Sequence, residues 1–298
     1  MFLPKQFRGG PPFARLPAGL IAPVELPPRP QDVPGHLRIV TYNIHKGVSA
    51  LARKSRIHEL RNAVHDLDAD IVFLQEVQGR NDRHARRFPN WPETGQHDFL
   101  AEKGWAEAVY GRNVVSDGRH YSSDHGNALL SRFALIESEN IDVSDHRFER
   151  RGLLHTVLQL GDQRVHCLCA HLGLFEDSRV RQVDALVHRI RATVPDHEPL
   201  IIAGDFNDWR NQLCRRLTER LGVREVFDEA AHRGLFSWMR TGAARPLPAR
   251  TFPSVFPLLR LDRVYVRGFA VHHAMVMRGG HWRHLSDHAP ILVDLKPA

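Results

Sequence analysis

The sequence predicts an α/β fold in which mixed sheets form a sandwich flanked by helices. Short runs of aliphatic and β-branched residues alternate with stretches at helical spacing. Several strand-like runs follow one another with no helix between them, where a doubly wound fold would alternate strictly. The chain of 298 residues, 42% hydrophobic and 25% charged, is long enough to bury a core without staples.

Residues 37–43 alternate and are rich in β-branched side chains, which predicts a strand. Ser55 opens a helix to about Leu67, with Ile57, Leu60, Val64 and Leu67 on one face. Residues 71–74 read as a buried strand that stops at Gln75-Glu76. Further strands are expected at 106–110, 127–131, 134–141, 153–160 and 164–170. A helix at 178–193 shows the stripe Val180, Val183, Leu186, Val187 and Ile190. A short buried strand at 200–203, a helix at 211–221 and strands at 262–266, 270–277 and 291–295 complete the pattern. Two long stretches, 80–104 and 228–260, read as irregular, and loops of that length usually carry function or move. Residues 1–36 hold nine of the nineteen prolines, so they are expected to form an extended or disordered arm ahead of a single domain at 37–298.

The formal charge is +7, from 41 Lys and Arg against 34 Asp and Glu, with 20 His in reserve. This excludes an acidic disordered chain. The absence of an apolar run of about 18 residues excludes an integral helical membrane protein. The basic balance points to a polyanion: nucleic acid, a phosphorylated metabolite or an anionic lipid headgroup. Cys167, Cys169 and Cys214 are too few for a disulfide framework, and the Cys167/Cys169 pair reads as structural thiols. The apolar stretch from Leu16 to Val24 is broken by Pro17 and Pro23, unlike a signal peptide, so a reducing, cytoplasmic setting and a monomer are expected.

The buried runs stop at short polar side chains. Asn43 and His45 follow the first, Glu76 the second, and His171 the run at 164–170. Asp205, Asn207 and Asp208 follow the run at 200–203, and Ser286-Asp287-His288 precedes the last strand. Ligands of sheet proteins bind at such an edge. Carboxylates, amides and imidazoles hold a hard divalent cation and move protons. Each cluster alone is also ordinary turn composition. Ser-Asp-His occurs at both 123–125 and 286–288, which by itself implies no duplication.

Taken in order, these motifs resemble the endonuclease/exonuclease/phosphatase superfamily. The residues are Thr41-Tyr42-Asn43-Ile44, Leu74-Gln75-Glu76-Val77, Gly126 to Ser131, His171-Leu172, Gly204-Asp205-Phe206-Asn207, Arg260 to Val264, and Ser286-Asp287-His288-Ala289-Pro290. The resemblance implies a four-layer α/β/β/α sandwich with one site at the sheet edge. It implies a Mg2+-dependent phosphodiester hydrolase, with Mn2+ as a substitute. Glu76, Asn43 and Asp287 would hold the metal. His288 would be the general base, oriented by Asp262, while Asp205 and Asn207 position water and bind phosphoryl oxygens. His171, as imidazolium, would bind phosphate or protonate the leaving group, and its presence separates the chain from the abasic-site exonuclease branch. Asn127 and Arg181 are further phosphate-binding candidates.

For the substrate, the resemblance puts DNA or RNA first, and a phospholipid headgroup or small phosphorylated metabolite second. A binding module with a decayed site is a third reading, weakened because all eight site residues from Asn43 to His288 are present. Arg-rich segments at 80–87 and 147–151 either track a phosphate backbone or form solvated loops. The apolar, proline-broken run at 251–259 is read as folding over the core.

Overall fold

The computed structural model describes residues 26–27, 29, 35–49, 53–118, 121–145, 149–228 and 249–298. The first part of the chain gives β1 (Leu37–Asn43), α1 (Ile57–Asp66), β2 (Ile71–Val77), α2 (Asp82–Arg87), α3 (Gln96–Ala101), β3 (Glu107–Asp117) and β4 (Ser122–Ser131). Then come β5 (Ala134–Asp142), β6 (Gly152–Leu160), β7 (Gln163–His171), α4 (Glu176–Thr193), β8 (Leu200–Asp205), α5 (Cys214–Leu221) and β9 (Arg224–Glu225). The last are β10 (Asp262–Arg267), β11 (Phe269–Val276), α6 (Trp282–Leu285) and β12 (Ile291–Pro297).

The strands form two six-stranded sheets, ordered β11-β12-β1-β2-β4-β3 and β5-β6-β7-β8-β10-β9. Both are mixed in the same way. The central pair, β1 with β2 or β7 with β8, is parallel, and the crossover contains α1 or α4. The other pairings are antiparallel. A parallel pair ends both its strands at the same edge. Here both pairs end where β10 begins and where the segment ahead of β12 arrives.

Alternation along each strand divides the core into three. Phe73, Leu129, Ile201, Val264 and Val293 fill the space between the sheets. Val40, Leu74 and Leu130 point outward onto Ile57, Leu60 and Val64 of α1. Leu168 and Ile202 meet Val183, Leu186 and Ile190 of α4 and Leu217 of α5. The layers are therefore helix, sheet, sheet, helix, as the sequence predicts. Each such fully buried side chain contributes about 1.5–3 kcal/mol.

Some expectations need correction. The stretch 80–104 contains α2 and α3. Helix α2 has no buried residue and is held by its Asn81 cap, whose side chain accepts from the His84 N–H at 2.8 Å. A helix without an apolar stripe gives no periodicity to read. Helix α5 starts at Cys214, later than expected, because Asp208 accepts from the N–H groups of Gln212 and Leu213 and shapes the entry. The run 251–259 does not simply fold over the core: Thr251 and Ser254 are buried, but Val255, Phe256 and Leu258 stand in solvent. Most of the arm at 1–36, and residues 229–248 of the second irregular stretch, lie outside the described residues. In the described part of the arm, Arg29 pairs with Asp68 and Asp70, and the Pro27 carbonyl accepts from Arg38. No helix among the described residues is long and apolar enough to cross a membrane.

Candidate active site

The shared edge is built on backbone that ordinary residues avoid. Seven described non-glycine residues have positive φ, and His45, Lys46, Glu76 and Asn207 are four of them. Glu76 (φ 56°) occupies a bulge, where β2 slips against β4 between Leu74 and Val77. Asn207 (φ 50°) lies just past β8. Each such conformation costs about 1–3 kcal/mol and persists where its surroundings over-determine it. Ahead of Asp205, Gly204 sits at φ 148°, and a Cβ there would lie 1.9 Å from the Ala170 carbonyl oxygen. Only glycine lets β8 bring Asp205 this close to β7.

The side chains form two halves joined by Asn43. On the first sheet, the Asn43 amide lies 3.4 Å from Glu76 Oε1, and it donates across to Asp205 Oδ2 at 3.1 Å. His45 Nδ1 is 3.3 Å from Asp287 Oδ2, and Lys46 Nζ is 3.6 Å from Glu76 Oε2. On the second sheet, the register sets His171 beside Asp205 and Asp205 beside Asp262. His288 comes between the halves. Its Nδ1 is 2.9 Å from Asp262 Oδ2, and its Nε2 is 3.7 Å from Asp205 Oδ2. His171 Nε2 is 3.6 Å from the same Asp205 oxygen. Ser286 pins the segment, its hydroxyl donating to the Asn43 carbonyl at 2.7 Å. The Asn207 N–H donates to Asp205 Oδ1 at 3.0 Å, and its side-chain amide donates to the Leu172 carbonyl at 2.9 Å.

The sequence model of the endonuclease/exonuclease/phosphatase family matches residues 40–288, from β1 to His288. The chain belongs to this family. It is similar to the protein YbhP of Escherichia coli (strain K12), at 41% identity over 260 residues, covering 87% of this chain and 95% of YbhP. Among solved structures it is similar to an endonuclease/exonuclease/phosphatase from Beutenbergia cavernae, with a TM-score of 0.65 at 19% identity over 89% of this chain and 72% of that one. It is also similar to D. rerio TDP2 complexed with a single-strand DNA product, with a TM-score of 0.61 at 18% identity over 88% of this chain and 99% of that one. These distant likenesses establish the fold. Family membership makes the protein a hydrolytic phosphoesterase, of a kind that generally depends on a divalent metal.

The family's charged groups are set apart by their surroundings. Burial opposes the charge of His288, but Asp262, Asp205 and Asp287 together outweigh it and push the imidazole up to about 10. Burial raises Asp205 to about 6, with His288 pulling against it and Asp262 adding to it. Burial, then the positive charges of Arg151 and its neighbours, holds His171 well below the usual histidine range. Burial thus works against the imidazolium that the resemblance implies for His171. Burial works against the charge of Asp287, yet its hydrogen bond with His45 and the nearby His288 keep its pKa below the carboxylate norm.

The donor set suits a hard cation. Glu76, Asp287 and the Asn43 amide offer oxygen, and the two carboxylate side chains are 19% and 25% exposed, so they can be reached. A second cluster adjoins it: one ligand atom each of Asp205, Asp262 and His288 lies within 4.8 Å of the others. Asp262 Oδ1 is buried with no hydrogen-bond partner among the described residues, a polar atom that a bound group would satisfy.

The edge thus brings together Asn43, Glu76, His171, Asp205, Asn207, Asp262, Asp287 and His288. It does not bring Asn127 or Arg181 to the same cluster. Asn127 is fully buried, and its amide ties the sheets by donating to the carbonyls of Gly152 (2.8 Å) and Cys169 (3.2 Å). Arg181 lies on the exposed face of α4 and forks onto Asp145. Gln182 also serves structure, accepting from the Gly173 N–H just past His171. Sequence reasoning placed His45 at the strand end but gave it no role, and missed Lys46 and His125, which burial and then Lys46 push down to about 4. The available signal for His45 was its place two residues after Asn43. For His125 it was the repeated Ser-Asp-His tripeptide.

Proposed function

We propose that the protein is a Mg2+-dependent phosphodiester hydrolase, with Mn2+ able to substitute, acting as a monomer whose domain spans residues 37–298. The observation that carries this is the buried His288–Asp262 hydrogen bond set directly beside the Glu76–Asn43–Asp287 oxygens. Glu76, Asn43 and Asp287 would hold the cation, which would neutralise phosphate charge and draw His288 down towards neutrality. Asp262 fixes the Nδ1–H tautomer and leaves Nε2 to take the proton of the attacking water. The water oxygen bonds to phosphorus, the bond to the leaving oxygen breaks, and that oxygen takes up a proton from solvent as protonated His288 gives its own back to solvent. His171 offers a ring N–H to a phosphoryl oxygen. Asn207 retains one amide N–H beyond its bond to Leu172 and can do the same.

For the substrate, nucleic acid is the first reading. The fold is shared with TDP2, and a cleft of about 410 Å3 lined by Arg53, Lys54, Arg56 and Arg283 reaches Asp287, with room for a neighbouring phosphate. A phospholipid headgroup is the second, favoured by the exposed apolar side chains at the mouth of the site. The test is hydrolysis of plasmid, single-stranded DNA, RNA, phospholipids and inositol phosphates with Mg2+ or Mn2+. Glu76→Gln is expected to lose at least about 100-fold on every substrate that is cleaved. Equal turnover by Glu76→Gln would remove that residue from the metal site.

A further inference from the structure

Among the described residues, the loops framing the site carry several large apolar side chains that stand in solvent. Leu174 is 56% exposed, Trp209 44%, Val255 57%, Phe256 68% and Leu258 53%. They belong to two knuckles. Leu174 follows His171 by three residues and Trp209 follows Asn207 by two. Arg179 links them, donating to the Leu174 carbonyl and lying 4.7 Å from the centre of the Trp209 ring. Val255, Phe256 and Leu258 form the other knuckle. Its root is tied to the catalytic groups: the Ser254 N–H donates to the Asp287 carbonyl at 2.7 Å, and the Phe252 ring lies 5.1 Å from His288.

Apolar side chains at loop tips are costly in water unless something covers them. Charge says what does. The cleft lined by Arg53, Lys54, Arg56 and Arg283 also reaches Val255 and opens beside the same site. Apolar tips with cations beside them suit a lipid surface, where the tips enter the acyl boundary and the cations stay with the headgroup phosphates. Leu174, Val255 and Leu258 have no π-face, so they add nothing to a base-stacking platform. We propose that this rim docks the protein on an anionic phospholipid bilayer, presenting a headgroup phosphodiester to His288. The proposal rests on the second substrate reading above.

The experiment is flotation of the full-length protein with vesicles, in EDTA so that no turnover occurs. One vesicle is phosphatidylcholine alone; the other adds phosphatidylglycerol. Binding to the mixed vesicle is expected to exceed binding to the neutral one about tenfold and to weaken with salt. Phe256→Ser/Leu258→Ser, and independently Leu174→Ser, should each reduce it several-fold, with thermal melting confirming that each variant is folded. Because EDTA blocks turnover, docking is measured apart from hydrolysis, and a failure of the hydrolase reading shows only in the turnover assay. No binding to anionic vesicles would overturn the proposal. So would parental binding by both knuckle variants. Binding of single-stranded DNA, but not vesicles, that is lost in Trp209→Ala would assign the rim to nucleic acid instead.

Discussion

At the scale of single residues, the site works by setting similar groups in different surroundings. His288 and His171 face the same Asp205 oxygen at 3.7 and 3.6 Å, yet only His288 has a second carboxylate on its other nitrogen. That difference underlies the proposed role of His288 as the proton acceptor, while burial works against a charge on His171. Asp262→Asn preserves the size of the orienting group but favours the wrong tautomer, and kcat is expected to fall about 10^3-fold or more, measured on a soluble phosphodiester. A histidine away from the site, His155, contributes to acid stability. His155 Nε2 lies 3.0 Å from His166 Nδ1, and burial, then His166, pushes His155 down to about 4. Unfolded, it binds its proton near pH 6.5. The unfolded chain therefore gains a proton first as pH falls. Stability from this group is present above pH 6.5 and is lost progressively down to about 4, by roughly 3 kcal/mol. Urea titrations of His155→Gln should show a shallower decline over that window. An unchanged slope would contradict the assignment.

At the scale of elements, strand ends and glycines place the chemistry. Gly204→Ala would drive a Cβ into the Ala170 backbone, and a loss of about 3 kcal/mol or more is expected in denaturant unfolding. Asn127→Ala removes two cross-sheet hydrogen bonds and leaves buried carbonyls unpaired, so about 2 kcal/mol should be lost by the same measurement. What was legible in the sequence follows from the same geometry. Asn43, Glu76, His171 and Asp205 end buried apolar runs, and a run with a polar stop can be seen in one dimension. Lys46 and His125 were not legible as site residues, because a left-handed turn and the partner strand across the β2 bulge bring them in. Asn127 misled because a motif shows that an amide is present but not what it bonds. Helix α2 was invisible because it buries nothing.

At the scale of the whole molecule, two sheets of like order bring four parallel strand ends to one edge, so the site joins both halves of the core. The surplus of positive charge, +7 overall, gains a location in the cleft that ends at Asp287. The apolar run at 251–259 was visible in the sequence. Its division into a buried root and exposed tip depends on the Ser254 bonds to Ser286 and Asp287. The central claim is that one buried dyad and one oxygen-donor set act together on a phosphodiester. Hydrolysis of bis-p-nitrophenyl phosphate, compared between the parent and His288→Ala in Mg2+, in Mn2+ and in EDTA, tests it most directly. The expected result is turnover by the parent with either metal, none in EDTA, and a loss of about 10^3-fold or more in His288→Ala. Turnover that survives both the chelator and the substitution would contradict it.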